Sequence, residues 1–242
     1  MRRREKAAVV QFDQDVIDTG GYLYANKSSL SSLLANKRLT GATLEILSFK
    51  NKTVIDIGCG DGVYTNDLYV YGKPKLIIGT DLAGKAIAEA RKKYEKGDKK
   101  IYFKTESCYK ISYPDKSFDI AIARGLLHHL DEPQKALKEM FRVAGEVFII
   151  EPNGYNFVLK IIEKLSFYHR KHKEKSYHPL KIREWIICLG GKIEREEYLG
   201  LVPFFCPNFL AVLLKKLEPV IEKSFLKRFA CAVIVIKVTK VV

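Results

Sequence analysis

VIDIGCGDG, residues 54–62, passes from an apolar run into a turn with a glycine at every second position and an aspartate on either side of the first two. A strand that ends in glycine and leads into a helix lets backbone amides approach a ligand at the helix N-terminus, where a side chain would block them. The stretch therefore reads as part of a nucleotide-type site. The dinucleotide fingerprint G-x-G-x-x-G would place its third glycine at Val63, whereas here it falls at Gly62, giving G-x-G-x-G. Asp81, 19 residues beyond Gly62 at the end of the next apolar run, can accept from two ribose hydroxyls and serves either kind of nucleoside ligand.

Working outward, short β-rich runs alternate with helical patterns from residue 53 onward. Strands are predicted at 53–57, 75–81, 100–106, 118–124 and 146–152. Between them GVYTNDLYVYG reads as a helix ended by Gly72, AGKAIAEARKKYEK carries Ala86, Ile87, Ala90 and Tyr94 at helical spacing, and DEPQKALKEMFRVA has Pro133 near its first turn. The strand runs are nearly continuous in Val, Ile and Leu, as in strands covered on both faces, so the class is α/β with a doubly wound sheet. After Pro152 the alternation loosens. Phe157, Val158, Ile161, Ile162 and Leu165 form one helical stripe that runs into a basic segment, HPLKIREWIICLGG reads as a helix, KIEREEYLG as a strand, and CAVIVIKVTK as the final strand. The first 50 residues read as one or two helices.

The length of 242 residues suits one substantial domain with elaborations, and a hydrophobic fraction of 47% with 29% charged residues is that of a folded chain. Net charge is +14 and uneven: residues 154–242 hold 17 basic against 8 acidic side chains. Such a field attracts nucleic acid, anionic lipid or an acidic small molecule, or simply solubilises the surface. Cys59, Cys108, Cys188, Cys206 and Cys231 form no C-x-x-C pair, which fits reduced thiols and predicts no metal. MRRREK is followed by no apolar h-region or cleavage site, so a cytoplasmic location is expected. Residues 198–214 are uncharged, but Pro203, Pro207 and Asn208 break the pattern a spanning helix requires, leaving contact with a membrane surface as an open expectation.

VIDIGCGDG, GTDLA, YPDKSFDIAIARGLLHHLDEP and FIIEPN resemble, in order, the S-adenosylmethionine-dependent class I methyltransferases, closest to the group containing ubiquinone and menaquinone methyltransferases. The resemblance covers about residues 50–152. It implies a Rossmann-like, mostly parallel seven-stranded sheet with helices on both faces. It also implies an N-terminal helical lid segment at 1–50, with Tyr22 and Tyr24 closing over the cofactor, and a domain at 51–242 with insertions at about 154–177 and 203–229. S-adenosylmethionine is the implied cofactor. Carried over by position, Asp56 faces the methionyl amine, Gly58, Cys59 and Gly60 line the cofactor through their backbone, Asp81 holds the ribose and Leu82 lies beside the adenine. The family's adenine-binding acid after the third strand is replaced by Ser107, followed by Cys108, whose amide can still serve. Arg124 occupies a cofactor-facing position within reach of the methionyl carboxylate.

Methyl transfer from a sulfonium is an in-line displacement, so the protein mainly positions the acceptor and excludes water. Where the acceptor must lose a proton, His128 or His129 is the nearest candidate base; the alternative is that both histidines only pack or touch the cofactor. Tyr155, Tyr168, His169, His172, Tyr177 and His178 lie in the first insertion and are candidates to shape an acceptor pocket. H-x-x-H at His169 and His172 sits in a basic run with no nearby acid beyond Glu174 and reads as a solvated or substrate-facing pair rather than a metal site. The Asn/Asp-Pro-Pro-aromatic motif of nucleic-acid amino methyltransferases is replaced by ARGLLHHL. The expectation is therefore O- or C-methylation of a small-molecule or lipid-like acceptor. An RNA-associated methyltransferase, or a noncatalytic RNA binder using the basic C-terminal part, is the alternative.

Overall fold

The computed structural model describes residues 10, 13, 14, 29–165 and 176–240. Helix α1 (Leu30–Ile46) precedes β1 (Thr53–Ile57), α2 (Val63–Gly72), β2 (Leu76–Asp81), α3 (Gly84–Tyr94), β3 (Ile101–Thr105) and β4 (Phe118–Arg124). A 3-10 turn (Leu127–His129), α4 (Pro133–Val143), β5 (Ala144–Pro152), α5 (Phe157–Leu165) and α6 (Pro179–Cys188) follow. The chain continues through β6 (Gly191–Leu199), α7 (Asn208–Lys223), α8 (Lys227–Ala230) and β7 (Val233–Lys240).

The seven strands lie in the order β3-β2-β1-β4-β5-β7-β6. β1 to β5 pair in parallel, and β7 inserts antiparallel between β5 and β6. Alternation along the strands divides the core between the two sheet faces. Ile55, Ile57, Ala121, Ala123, Val147 and Ile149 pack with Leu137, Met140 and Phe141 of α4 and Trp185 of α6. Val54, Ile77, Ile120, Ile122, Phe148 and Ile150 pack with Leu39 of α1, Leu68 of α2 and Ile87 of α3. Helices on both faces explain why the strand runs are apolar at almost every position.

The path runs from β1 outward to β3 and then crosses back to β4 on the other side of β1. A crevice opens at such a reversal, outside the carboxyl ends of β1 and β4, because the flanking connections leave in opposite directions. The predicted strands and helices agree with the observed ones to within three residues. The departure is the second insertion: 16 of its residues form α7, with Pro219 inside the helix. Pro219 removes the amide that would bond to the carbonyl of Lys215, and the helix continues because its other contacts hold it. Among the described residues no helix is long and apolar enough to cross a membrane.

Candidate active site

The turn after β1 is built from backbone that side chains disfavour. Gly58, Gly60 and Gly62 all have positive φ, at 77°, 56° and 76°. A Cβ on Gly62 would also lie 2.6 Å from Cε1 of Phe103 and 2.9 Å from Cβ of Ala90. This glycine thus lets α2 start against β3 and α3. Gly62→Ala is expected to cost about 2–4 kcal/mol from combined strain and overpacking, read as a lowered urea midpoint; a midpoint unchanged from wild type would contradict this packing.

Asp81 ties the turn to β2. Its Oδ2 accepts from the Gly60 amide at 2.9 Å and its Oδ1 from the Ala83 amide at 2.8 Å. Gly58 and Cys59 donate to the Thr80 carbonyl at 2.7 and 3.0 Å. Burial raises the Asp81 carboxyl above its usual range, and the amides of Ala83, Gly60 and Leu82 oppose that rise by stabilising the anion. Each carboxylate oxygen keeps a second lone pair, so the clamp and a ribose diol are compatible.

Asp56, at the end of β1, is 1% exposed and accepts from Thr65 Oγ1 at 2.5 Å. Burial pushes its carboxyl up to about 6, against the lowering effects of the Thr65 hydroxyl and Arg124. Arg124, at the end of β4, stacks its guanidinium 4.6 Å from the Tyr64 ring centre and donates to Asn36 Oδ1 at 2.5 Å. Tyr64 in turn bonds the Thr43 hydroxyl at 2.7 Å. Burial lowers the Arg124 pKa and raises that of Tyr64. Helix α1 is thereby fixed over the crevice through Asn36 and Thr43.

The histidines are distinguished by a partner that sequence reasoning passed over. Glu151, 1% exposed near the end of β5, accepts from the amides of Leu126, Leu127 and His128 at 2.9, 2.8 and 3.2 Å. Its Oε2 also lies 2.8 Å from Nδ1 of His128. A carboxylate already accepting from three amides takes a proton-bearing Nδ1, which makes Nε2 the basic nitrogen of neutral His128. The His129 ring centre lies 3.9 Å from that of His128.

A cavity of about 1160 Å³ joins these groups. Asp56, Gly58, Cys59, Gly60, Asp81, Leu82, Ser107, Cys108, Arg124, His128 and His129 all border it. The cofactor-facing residues and the two candidate bases from the sequence are thus brought to one place. Ser107 Oγ accepts from the Tyr109 amide at 3.3 Å, a local turn contact. Glu106, one residue earlier, also borders the cavity, and its buried Oε2 has no hydrogen-bond partner while Oε1 takes Lys104 and the Ser112 amide. The sequence signal was an acid displaced by one position.

Tyr155, Tyr177 and His178 are not on the cavity wall. Tyr155 packs edge-on to His178 at 4.6 Å and Tyr177 to Trp185 at 4.8 Å. They seal α6 against the sheet, because rings of that size gain more from core burial than from an open rim. Tyr22, Tyr24, Tyr168, His169 and His172 lie outside the described residues. The cavity wall opposite the glycine turn is instead apolar, including Phe157 and Ile162 of α5, Phe204, Phe205, Leu226 and Phe229.

Residues 55–148 match the family described as a methyltransferase domain. An uncharacterized methyltransferase of Schizosaccharomyces pombe is 34% identical over 119 residues, 46% of this chain and 41% of that protein. A ubiquinone biosynthesis O-methyltransferase of Coxiella burnetii is 22% identical over 153 residues, 57% of this chain and 63% of its own. The chain thus spans about half the length of the curated relatives it matches. Among solved structures, an S-adenosylmethionine-dependent methyltransferase of Thermotoga maritima shares the fold with a TM-score of 0.66 at 17% identity, over 95% of this chain and 98% of its own. The matched stretch runs from β1 to β5 and carries Asp56, the glycine turn, Asp81, Arg124 and His128. S-adenosylmethionine is the cofactor named for the Thermotoga maritima protein. The donor set fits that group: a buried acid for an ammonium, a clamped carboxylate for a ribose, and at Glu106 an unpartnered carboxylate oxygen for an amino donor.

Proposed function

We propose that the protein transfers a methyl group from S-adenosylmethionine to oxygen or an activated carbon of a small, lipid- or quinone-like acceptor. The observation carrying this reading is the single cavity in which the clamped glycine turn and the Glu151–His128 pair face a wall of Phe, Leu and Ile. The ubiquinone O-methyltransferase of Coxiella burnetii supports a quinol-type acceptor among such molecules. The residues facing the acceptor offer apolar contact, so RNA is the less favoured acceptor.

S-adenosylmethionine supplies an electrophilic methyl on a sulfonium when bound. Asp56 would hold its ammonium, Asp81 its ribose, Leu82 and Glu106 its adenine, and Arg124 its carboxylate. Nε2 of His128 would take the acceptor's proton, leaving the acceptor nucleophilic toward that methyl. Glu151 holds the imidazolium until that proton passes to solvent. The apolar wall keeps water out and the acceptor in line. Helix α1 contributes Asn36 and Leu39 to the cavity wall, which supports the N-terminal segment as a lid. The working location is the cytoplasm, at a membrane surface where such acceptors reside.

The decisive assay offers methyl-labelled cofactor to a panel of apolar phenols and quinols and reads a mass gain of one methyl. Transfer to RNA with none to the panel would overturn the acceptor class.

Cofactor affinity should depend on pH through Asp56, whose carboxyl lies near 6 against about 3.9 in an unfolded chain. Holding a proton that the unfolded chain releases, the folded state gains stability from this group below pH of about 4 and loses it as pH rises through 6. Cofactor binding runs the opposite way, because an ammonium needs the ionised carboxylate. S-adenosylhomocysteine affinity is expected to rise up to about tenfold per pH unit below 6 and level off above it, measured by calorimetry in a pH series. A flat profile between pH of about 5 and 7 would remove Asp56 from ammonium recognition.

A further inference from the structure

We propose that the outward face of α5, α7 and α8 docks this protein on an anionic lipid bilayer, so that the acceptor enters the cavity from the lipid. This deepens the lipid-like acceptor reading and rests on it.

Helix α7 is turned inside out relative to an ordinary surface helix. At 100° per residue, Phe209, Val212, Leu213, Leu217 and Val220 fall within an arc of about 140°, and all five are exposed. Phe209 is 76% exposed and, just beyond the helix, Phe225 is 82% exposed. The opposite side of α7 carries its acids. Glu218 is buried, accepts from the Leu201 amide at 3.0 Å and pairs with Lys215. Glu222 takes both Arg38, at 2.8 to 3.1 Å, and the Gly200 amide at 2.9 Å. The polar groups therefore fasten the helix to the body of the protein, and the apolar groups face out.

The charge left on the outside has one sign. Lys164, Lys216, Lys223 and Arg228 are the exposed charged residues among the described residues of α5, α7 and α8, whereas Glu163, Glu218 and Glu222 are turned inward and paired. Lys216 and Lys223 lie within or beside the apolar arc. Phe and Leu side chains interleaved with outward lysines match a bilayer surface, in which the rings enter the acyl boundary and the cations meet anionic headgroups. RNA could take the lysines and stack on the Phe rings but would leave Val212, Leu213, Leu217 and Val220 uncovered, whereas a bilayer takes up the aliphatic groups as well.

The face is also continuous with the active cavity. Phe157, Val158, Ile162, Phe205, Leu226 and Phe229 are both exposed and part of the cavity wall. A docked protein would place this apolar rim in the lipid, at the wall of the same cavity that His128 borders.

The test is sedimentation of the full chain with vesicles of phosphatidylcholine alone or with about 30% phosphatidylglycerol. The expected result is partition at least about tenfold stronger on the anionic vesicles. F209S/V220S/F225S and K216E/K223E, none of which touches the cavity, should each reduce it by at least about tenfold while melting temperature and S-adenosylhomocysteine binding stay at wild-type values. Absence of wild-type partition, or equal partition of the variants, overturns the proposal. So does light scattering that finds a lipid-free dimer broken by F209S/V220S/F225S, or loss of RNA binding as the only effect of K216E/K223E. Methyl transfer to a detergent-solubilised quinol, assayed in parallel, separates the two claims: transfer without vesicle binding removes the docking and leaves the acceptor reading, and vesicle binding without transfer does the reverse.

Discussion

His128→Ala is expected to lower kcat by about 10²- to 10⁴-fold, the range for removal of a positioned general base, with S-adenosylhomocysteine affinity changed by less than about threefold. The split follows from geometry: Asp56 and Asp81 hold the cofactor from β1 and β2, while His128 stands after β4 with its Nδ1 on Glu151. Glu151→Gln should lose a similar share of kcat. The amide NH₂ cannot accept from the Leu126, Leu127 and His128 amides as a carboxylate does, and the amide leaves the imidazolium without a counter-charge. His128→Ala should lose the rise of kcat on the acidic limb that a neutral imidazole requires, and Glu151→Gln, which keeps the ring but removes the charge beside it, should alter that limb. If His128→Ala instead retained kcat and its pH profile, the ring would be packing alone. A pure packing loss at Glu151 would lower melting temperature without altering that profile, which makes the profile the discriminating readout.

Asp81→Ala should weaken S-adenosylhomocysteine binding by at least about 100-fold, equivalent to about 2.7 kcal/mol. Two losses combine. The ribose loses its acceptor, and the amides of Gly60 and Ala83 lose the carboxylate that holds the glycine turn in its left-handed conformation. Asp81→Asn keeps one acceptor oxygen but presents an NH₂ group to one of those amides, so it should fall between wild type and alanine. Titration calorimetry gives the order directly. Affinity of the alanine variant within tenfold of wild type would mean that the turn carries recognition without the clamp.

Those expectations draw unequally on sequence and structure. The strands were legible because each is a short apolar run of β-branched residues buried on both faces, and the glycine turn because its conformation excludes most other residues. Asp56, Asp81 and Arg124 were legible as strand-end positions. What a strand end touches was not. Arg124 meets Asn36 across 88 positions and Glu151 meets His128 across 23, and such contacts have no local period in the sequence. Ser107 drew attention where the family has an acid, while the unpartnered carboxylate oxygen beside the cavity belongs to Glu106, one residue earlier. Helix α7 was hidden by Pro219 and by its inverted polarity: amphipathic reasoning places apolar residues inward, and here Glu218 and Glu222 point that way.

The central claim is that the clamped turn after β1 holds S-adenosylmethionine. Titration calorimetry of the wild-type chain with S-adenosylhomocysteine, alongside NADH, tests it most directly. One site per chain with Kd on the order of 10 µM for S-adenosylhomocysteine, and no heat with NADH, is the predicted result. No binding of S-adenosylhomocysteine or S-adenosylmethionine at several hundred micromolar, on the order of the upper range of cofactor affinities, or saturable binding of NADH instead, would contradict it.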